Sequence, residues 1–201
     1  MPRRDGFVAR LRDPAVLIHQ AWRRLYILRH PDHPWLDPAA IRYLEGALDR
    51  SMIGLEWGSG RSTRWFASRL KHLTSVEHDS SWHERVRDAL TRHGVSNVDQ
   101  RLIPVPDADK HSADVYWSEN PYVMVVSEFA EASLDVVLVD GLYRQNCVAR
   151  ALPKIRVGGL LIIDNVDFLP QLADWGVPTD WPLVHLAGRR FFDTAIWRRP
   201  V

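Results

Sequence analysis

A short run of residues, from 55 to 63, combines a carboxylate, two glycines and several hydroxyl groups. It reads Leu-Glu-Trp-Gly-Ser-Gly-Arg-Ser-Thr, with the acid at Glu56 and the glycines at Gly58 and Gly60. Glycines in a turn let the backbone bend tightly and let a ligand approach it closely. If a helix follows the turn, its first N–H groups add donors for that ligand. The run therefore predicts a ligand-binding turn.

A second acid, Glu77, lies 17 residues after Gly60, at the end of a predicted strand. An acid in that position can accept hydrogen bonds from both hydroxyls of a ribose. A glycine turn alone also fits a simple tight connection between a strand and a helix. The two features together, each at the end of a predicted strand, indicate a binding site for a nucleoside cofactor.

Two more carboxylates and an amide follow later strands. Asp140 ends one apolar run, and Asp164 and Asn165 end the next. Because the carboxyl ends of parallel strands line the ligand crevice, these oxygens should converge there. An oxygen-only set suits Mg²⁺ or another hard divalent cation. The alternative is that Asp140 contacts cofactor or substrate directly, while Asp164 and Asn165 only cap the next turn.

Strands alternate with helices along the chain from residue 52 onward. The predicted strands are 52–57, 72–77, 98–105, 134–140, 158–164, 183–186 and 194–197. The predicted helices are 62–71, capped by Ser62 or Thr63, then 80–90, capped by Asp79 or Ser80, and 121–132 and 144–155. This alternation predicts an α/β fold with a mostly parallel sheet of seven strands. The last two strands are too close for a helical crossover, so we expect them to form an antiparallel hairpin.

Residues 1–50 precede this alternation and differ from it. Apolar residues at helical spacing predict a helix around residues 17–28 and a second over 38–48, with Asp37 as its N-cap. A segment of about fifty residues is too short to stand alone comfortably. We therefore predict a helical arm or cap over 1–50 and the ligand-binding domain over 51–201. The arm is open to two interpretations, a lid over the active site or a contact in a homodimer.

The composition excludes several classes of protein. The chain has 201 residues, 46% of them hydrophobic, and a formal net charge of +1, which argues against a surface that grips nucleic acid throughout. Its one cysteine, Cys147, excludes an internal disulfide framework and fits a reducing compartment. No run is long enough for a membrane helix, and we find no secretion signal. We therefore predict a cytoplasmic protein that does not contact a membrane.

The side chains around the turn favour one class of nucleoside cofactor. Nicotinamide-binding turns carry a third glycine at the position that Thr63 occupies here. Glu56, just before the turn, would repel a pyrophosphate but could receive an ammonium group. The chain also lacks a Tyr-x-x-x-Lys pair, which some dehydrogenases use. A cofactor with an amino group and a ribose but no phosphate fits better, and S-adenosylmethionine has that chemistry.

These motifs resemble those of class I S-adenosylmethionine-dependent methyltransferases. The resemblance covers residues 52–201 and rests on Glu-x-Gly-x-Gly at 56–60, on Glu77, on Val-Asp-Gly at 139–141 and on Gly-Gly-Leu-Leu-Ile-Ile-Asp-Asn at 158–165. It implies a three-layer, Rossmann-like methyltransferase fold with S-adenosylmethionine as cofactor. The cofactor-binding residues that it implies are Glu56, Trp57, Gly58, Ser59 and Gly60 around the methionine part, Ser62 and Thr63 at the helix start, Glu77 at the ribose, His78 and Asp107 near the adenine, and Asp140.

The set Asp140, Asp164 and Asn165 is similar to the metal site of catechol-type O-methyltransferases. In that family the metal binds two vicinal oxygens of the acceptor, lowers a hydroxyl pKa and aims the oxygen at the methyl group. This chain departs from the family pattern at Arg144, since the family has a lysine base near that position and an arginine stays protonated. Arg144 could bind an acidic acceptor group or pair with Asp140. The base is then Asp140, His78 or His111.

The sequence thus predicts a methyltransferase that acts on an oxygen of a small molecule, with a divalent metal as a possible aid. Tryptophans in the predicted loops after the third and fifth strands, Trp117, Trp175 and Trp181, suggest an aromatic or sugar-containing acceptor. Three alternatives stay open: an NAD(P)-binding oxidoreductase, an RNA methyltransferase that uses the basic ends of the chain, and a non-catalytic cofactor-binding protein.

Overall fold

The computed structural model describes residue 21 and residues 24–106, 120–186 and 193–201. Within these residues seven strands form one sheet, in the order β3-β2-β1-β4-β5-β7-β6. The strands are β1 (Ile53–Trp57), β2 (His72–Glu77), β3 (Val98–Leu102), β4 (Leu134–Val139), β5 (Ile155–Ile163), β6 (Leu183–Leu186) and β7 (Ala195–Arg198). β1 to β5 pair in parallel, while β7 runs antiparallel to β5 and to β6. The α/β fold with a final antiparallel hairpin is confirmed.

In the part of the chain that the structure describes, a helix precedes the sheet, and four others lie between its parallel strands. They are α1 (Pro38–Ala47), α2 (Arg61–Ala67), α3 (Ser80–Arg92), α4 (Pro121–Met124) and α5 (Arg144–Ala151). Residues 24–29 are also helical, and short 3₁₀ turns follow α4, α5 and β5. In the described parts of the chain, each helix is too short or too polar to cross a bilayer.

Local capping fixes where three of these helices begin. The Asp37 carboxylate accepts the first free N–H groups of α1, and the Asp79 carboxylate accepts the N–H of Trp82 in α3, both as the sequence predicts. For α2 the expected cap, Ser62 or Thr63, is wrong, since Gly60 is the N-cap residue. Thr63 lies one turn inside α2, and its hydroxyl accepts the Gly60 N–H at 2.9 Å.

Several predicted boundaries shift because proline cannot donate a backbone hydrogen bond. The helix expected over 144–155 ends at Ala151, since Pro153 lies in the 3₁₀ turn that follows. β5 therefore starts at Ile155 rather than residue 158, and Ile155 pairs with Leu134 of β4. The other larger differences are early ends of β3 at Leu102, before Pro104, of α2 at Ala67 and of α4 at Met124, while the remaining bounds shift by one or two residues.

Alternate residues of the central strands point into two hydrophobic clusters, one on each face of the sheet. Val137 and Val139 point to one hydrophobic cluster, and Val136 and Leu138 point to the other. The first cluster holds α4, α5 and the region around Trp175. The second joins the sheet to α2, to Leu36 just before α1, and to Ala40, Ile41 and Leu44 of α1. The segment from Leu36 to Leu44 is therefore packed directly on the sheet.

Candidate active site

The turns after β1 and β4 touch each other through their backbones. Gly58 has a φ of +94°, and a Cβ placed there would lie 2.9 Å from the carbonyl carbon of Asp140. A side chain at Gly141 would overlap the hydroxyl of Tyr122. The Asp140 N–H donates to the Trp57 carbonyl at 2.9 Å. Glycine at 58 and 141 is what lets the two strand ends close into one floor.

A cleft of about 590 Å³ opens above this floor, at the carboxyl ends of β1, β2 and β4. Ligands of open α/β sheets bind at this edge, and the volume suits a small molecule. The lining residues are Trp35, Leu36, Gly58, Ser59, Gly60, Arg61, Ser62, Glu77, His78, Asp79, Ser81, Trp82, Arg85, Asp140, Gly141, Leu142 and Arg144.

Another depression, of about 560 Å³, lies at the opposite edge of the sheet, beside Lys71 and Asn97. The Asn97 amide donates to the carbonyls of Ala67 and Leu70, so its polar group serves to hold the loop before β2. The strands begin at this edge, where α/β sheets do not place their ligands. We therefore assign the site to the carboxyl edge.

Glu56 lies beneath the cleft floor, fully buried in β1. Its Oε1 accepts the hydroxyls of Thr63 and of Ser75, the latter at 2.6 Å. Since the one Ser75 proton is used in this way, the Ser59 hydroxyl donates to Ser75 over 2.9 Å. Its other oxygen, Oε2, is buried without a hydrogen-bond partner among the described residues. The turn is therefore tied by hydroxyl groups to one oxygen of a buried acid.

Burial raises the pKa of Glu56 to about 7, although the nearby hydroxyl groups of Ser75, Thr63 and Ser62 work against this rise. The nearby Glu77 carboxylate raises it further. A neutral hydroxyl donor compensates little of the cost of taking a carboxylate out of water. Glu56 is thus divided between its protonated and charged forms near neutral pH, and a positive charge bound above it would draw it to the charged form.

Glu77, at the end of β2, is buried as deeply but is held differently. Its Oε2 accepts the Ser59 N–H at 3.1 Å, and its Oε1 accepts the N–H groups of His78 and Asp79 at 2.8 and 2.9 Å. Burial works to raise the pKa of Glu77, but the adjacent His78 ring and the hydrogen bonds from these backbone groups outweigh it and lower the pKa. A charged carboxylate therefore stands at the cleft wall.

Trp82 connects α3 to the glycine turn after β1. Its ring nitrogen donates to the Ser59 carbonyl at 2.7 Å, so α3 is fastened to the turn after β1. The Trp82 ring lies 6.4 Å from the ring of Trp35, which is half exposed. Arg61 lies over Trp35 and Arg85 over Trp82, with guanidinium-to-ring distances of 5.5 and 6.0 Å. Two aromatic rings and two exposed arginines thus form one wall of the cleft.

Arg144, the first residue of α5, joins the ends of β4 and β5. Its Nη2 donates to the carbonyl and to Oδ1 of Asp140 at 2.9 and 3.0 Å, and its Nε donates to the Gly141 carbonyl at 3.0 Å. Its Nη1 donates to the Asp164 carbonyl and, at 3.2 Å, to Oδ1 of Asn165. Of the two roles considered for this arginine, the structure supports pairing with Asp140.

The oxygen set predicted for a divalent metal does not fit one in this arrangement. Arg144 already contacts Asp140 Oδ1 and Asn165 Oδ1, and Asp164 Oδ1 accepts the Thr194 hydroxyl at 2.6 Å. Asp164 is buried and does not line the cleft. Over the described parts of the chain, no group of three or more His, Cys, Asp or Glu side chains is placed to hold a metal ion.

The structure sorts the predicted cofactor residues into two groups. Those that line the cleft are Gly58, Ser59, Gly60, Ser62, Glu77, His78 and Asp140. Three others, Glu56, Trp57 and Thr63, are fully buried and support the turn from below, and their contact with the cofactor stays a prediction. Asp107 and His111 lie outside the described residues.

The tryptophan prediction is wrong for two of its three loop residues, Trp175 and Trp181. Trp175 and Trp181 are 3% and 8% exposed and belong to the hydrophobic core, and the Trp57 ring packs there too. Their ring nitrogens explain part of this: Trp57 donates to the Tyr122 carbonyl and Trp175 to the Val166 carbonyl, so both find partners while buried. Trp117 lies outside the described residues.

The cleft wall contains residues that were not assigned to the site. They are Arg61 and Arg85, whose place depends on how α2 and α3 approach each other at their first turns. Trp35 is there because the Asp37 cap and the buried Leu36 anchor the chain next to the cleft. Arg61 directly follows Gly60, so the sequence could have placed it at the cleft. Its contact with the Trp35 ring joins residues 26 positions apart, which no local pattern predicts.

The sheet order, the glycine turn after β1 and the acids after β2 and β4 together define a class I S-adenosylmethionine-dependent methyltransferase. A family model described as "Methyltransferase domain" matches residues 55–166, which is more than half of the chain. The chain therefore belongs to this methyltransferase family. No curated protein matches the chain.

Three solved structures illustrate the similarity of fold. A methyltransferase-like protein from Silicibacter pomeroyi is 24% identical, with a TM-score of 0.60 over 84% of this chain and 90% of that one. A putative O-methyltransferase from Klebsiella pneumoniae is 19% identical, with a TM-score of 0.54 over 81% and 77%. An RNA methyltransferase from Salinibacter ruber in complex with S-adenosyl-L-homocysteine is 16% identical, with a TM-score of 0.52 over 84% and 94%. At these identities the likeness concerns the fold.

Proposed function

We propose that this methyltransferase transfers the methyl group of S-adenosylmethionine to an oxygen of a small aromatic molecule bound in the cleft. The observation that carries the proposal is the Trp35–Trp82 wall beside the glycine turn and the Glu77 carboxylate, all within one cleft. A flat acceptor can stack on the half-exposed Trp35 ring and the partly buried Trp82 ring, and a cleft of this size encloses a small molecule rather than a polymer.

The residues around the turn fit the cofactor. Glu77 is charged and has further lone pairs that can accept ribose hydroxyls. Gly60 leaves open space, since a Cβ there would meet only the Ser62 hydroxyl, at 4.0 Å. The partnerless Oε2 of Glu56 supplies negative charge beneath the place where a cationic cofactor would lie. When bound, the cofactor supplies a methyl group on a positively charged sulfur, which leaves as a neutral thioether.

The residues of the chain have two tasks in such a reaction, to align the acceptor and to take its proton. Alignment of the oxygen with the methyl group supplies much of the rate in a direct displacement. Asp140 and His78 both line the cleft and are the described candidates for the base. Oδ1 of Asp140 is already paired with Arg144 at 3.0 Å, so this oxygen is engaged inside the protein. The Nδ1 atom of His78 lies 2.9 Å from Oε1 of Glu77, which holds the His78 ring in place beside the cleft.

Calorimetric titration of the full chain with S-adenosylmethionine tests the first half of the proposal. We expect binding in the micromolar to submillimolar range that enzymes show for their substrates, and no binding of NAD. Glu77→Gln should weaken the binding at least tenfold, because the ribose loses a charged acceptor. Asp88→Asn, an exposed acid on α3, is the matched control. Absence of S-adenosylmethionine binding by the unaltered chain would refute the proposal.

The acceptor is tested with S-adenosylmethionine that carries a tritiated methyl group. Phenols, catechols and aromatic acids form one panel, and total RNA at low and high salt forms the other. We expect label in the aromatic panel, with KM raised in Trp35→Ala while cofactor binding is unchanged. Label in RNA that falls steeply with salt would instead support an RNA methyltransferase, with Arg61 and Arg85 as phosphate contacts.

A further inference from the structure

We propose that Arg144 stands in the place of the divalent metal, as a fixed cation that joins the ends of β4 and β5 and makes the enzyme independent of metal. This inference rests on the proposed function, since it concerns how the acceptor end of the same cleft is built. It starts from the disagreement between the predicted metal ligands and the contacts that they make.

The first argument is that Arg144 uses its hydrogen-bonding capacity inside the protein. Arginine carries five N–H donors in a rigid fork. All three nitrogens of Arg144 donate, to five oxygens on four residues: the carbonyl and Oδ1 of Asp140, and oxygens of Gly141, Asp164 and Asn165. A metal ligated at these strand ends would need several of the same oxygens.

The second argument is electrostatic. The Arg144 side chain is 13% exposed, and its charge is permanent. A divalent ion placed among the same oxygens would lie within a few ångströms of the guanidinium, in a partly buried site where charges repel strongly. The positive charge that a metal would bring is already present, and adding another is unfavourable.

The third argument is that neighbouring elements are shaped to hold the guanidinium. Tyr143, just before it, and Asn165 have φ values of 49° and 51°, in the left-handed region. Such backbone is uncommon for tyrosine and is kept where the surroundings demand it. The guanidinium carbon of Arg144 lies over the Phe168 ring, 5.0 Å from the ring centre, which is a cation–π contact. Both turns therefore converge on Arg144.

Arg144 is accordingly a positioning residue. It fixes Asp140, which reaches the cleft with its side chain 30% exposed, and its permanent charge is paired with that carboxylate. The orientation of Asp140 towards an acceptor therefore needs no metal. Independence from metal and a fixed orientation of Asp140 are two consequences of one side chain.

The test begins with the unaltered full chain and needs no variant. Mn²⁺ is titrated in the presence and absence of S-adenosylmethionine, and free Mn²⁺ is followed by electron paramagnetic resonance. We expect the unaltered chain and Asp140→Asn to give the same Mn²⁺ titration, because no Mn²⁺ binds at Asp140. We also expect treatment with EDTA to leave the affinity for S-adenosylmethionine unchanged. Mn²⁺ binding that depends on Asp140 would overturn the inference. If S-adenosylmethionine itself fails to bind, the proposed function fails, while the Mn²⁺ result still judges the role of Arg144.

Variants at Arg144 sharpen the result. Arg144→Ala removes the cation and leaves its oxygens without donors, so we expect the melting temperature to fall by about 5–10 °C. Added methylguanidinium should restore part of this loss. Arg144→Lys should recover little, because an ammonium cannot span both strand ends.

Arg87→Ala, which removes an exposed arginine of α3, is the matched control and should melt like the unaltered chain. Mg²⁺ that raises the melting temperature of Arg144→Ala agrees with the inference only if the unaltered chain binds no metal. Equal melting temperatures of Arg144→Ala and Arg87→Ala would refute the proposal that Arg144 holds the ends of β4 and β5 together.

Discussion

Glu56 and Glu77 end up with opposite charge preferences although they belong to neighbouring parallel strands. Both are nearly inaccessible to water, at 0% and 3% exposure. The pKa of Glu56 is raised to about 7, whereas the pKa of Glu77 is lowered. The difference lies in the donors: Glu56 faces hydroxyl groups on one oxygen, and Glu77 faces backbone N–H groups on both.

The comparison shows what a buried carboxylate needs in order to stay charged. Backbone N–H groups at a turn are fixed donors that cannot rotate away, and they bond an ionised oxygen more strongly than a neutral one. Hydroxyl groups can both donate and accept, so they suit either form of the acid. The β2 end thus presents a permanent charge to the cleft, while the β1 end holds a charge that can respond to a ligand.

The largest effect should come from Glu77→Ala. This change strands three backbone donors, the buried one of Ser59 and the partly buried ones of His78 and Asp79, so we expect a loss of about 3–5 kcal/mol of unfolding free energy. Urea unfolding at pH 7 measures it. Glu77→Gln keeps the size of the side chain and should lose less. A loss below about 1 kcal/mol would mean that these donors do not define the charged state.

Glu56→Gln should act in the opposite direction, and its effect should depend on pH. The pKa of Glu56 in the folded chain, about 7, lies above its ordinary value of 4.5. The stability that this group contributes is therefore fully present below pH 4.5 and is lost as the pH rises to about 7. Glutamine keeps the Oε1 acceptor and removes the titration. The variant should gain, relative to the unaltered chain, on the order of 3 kcal/mol between pH 4.5 and pH 8.

Urea unfolding at several pH values checks this prediction by giving the unfolding free energy of the unaltered chain and of Glu56→Gln. The contributions of the other titrating groups cancel when one free energy is subtracted from the other. Parallel curves would show that Glu56 titrates normally. The same pair of proteins also tests the response to a ligand: binding of S-adenosylmethionine at pH 7 should release a fraction of a proton from the unaltered chain and less from Glu56→Gln, as measured by calorimetry in two buffers.

The smallest effect should come from Trp82→Phe. It removes the ring N–H that holds the Ser59 carbonyl and keeps most of the aromatic surface. We expect a loss of about 1 kcal/mol in stability and a few-fold loss in cofactor affinity, because Ser59 lies between the two glutamates. Thermal melting and titration measure these. An unchanged affinity would show that the turn is held by Glu77 without help from α3.

The sequence predicted the features that depend on neighbouring residues. The Asp37 and Asp79 caps, the bounds of β2 and the order of strands and helices follow from local donors, from apolar alternation and from turn residues. The cleft residues from Gly58 to Ser62 follow from the turn in the same way. Their closeness to Glu77 and Asp140 follows from the parallel sheet, since its strand ends share one edge.

The features that depend on distant residues were missed. Nothing near Trp175 in sequence shows that its ring nitrogen will meet the Val166 carbonyl and bury the ring. The contacts of Arg144 with Asp164 and Asn165 span 20 and 21 residues, so an oxygen set that suits a metal was predicted without the cation that occupies it. The charge of Glu56 likewise depends on Ser75 in the neighbouring strand.

Thr194 has a consequence for anyone who wishes to cut or permute this chain. Its hydroxyl oxygen accepts the N–H of Asp37 at 3.0 Å, and the same hydroxyl donates to Asp164 at 2.6 Å. The start of α1, the start of β7 and the end of β5 therefore share one hydroxyl group. A shortened protein that begins at residue 51 would lose one partner of this bridge and would bare the apolar surface that Leu36 and Ile41 cover. A workable truncation should begin ahead of Trp35.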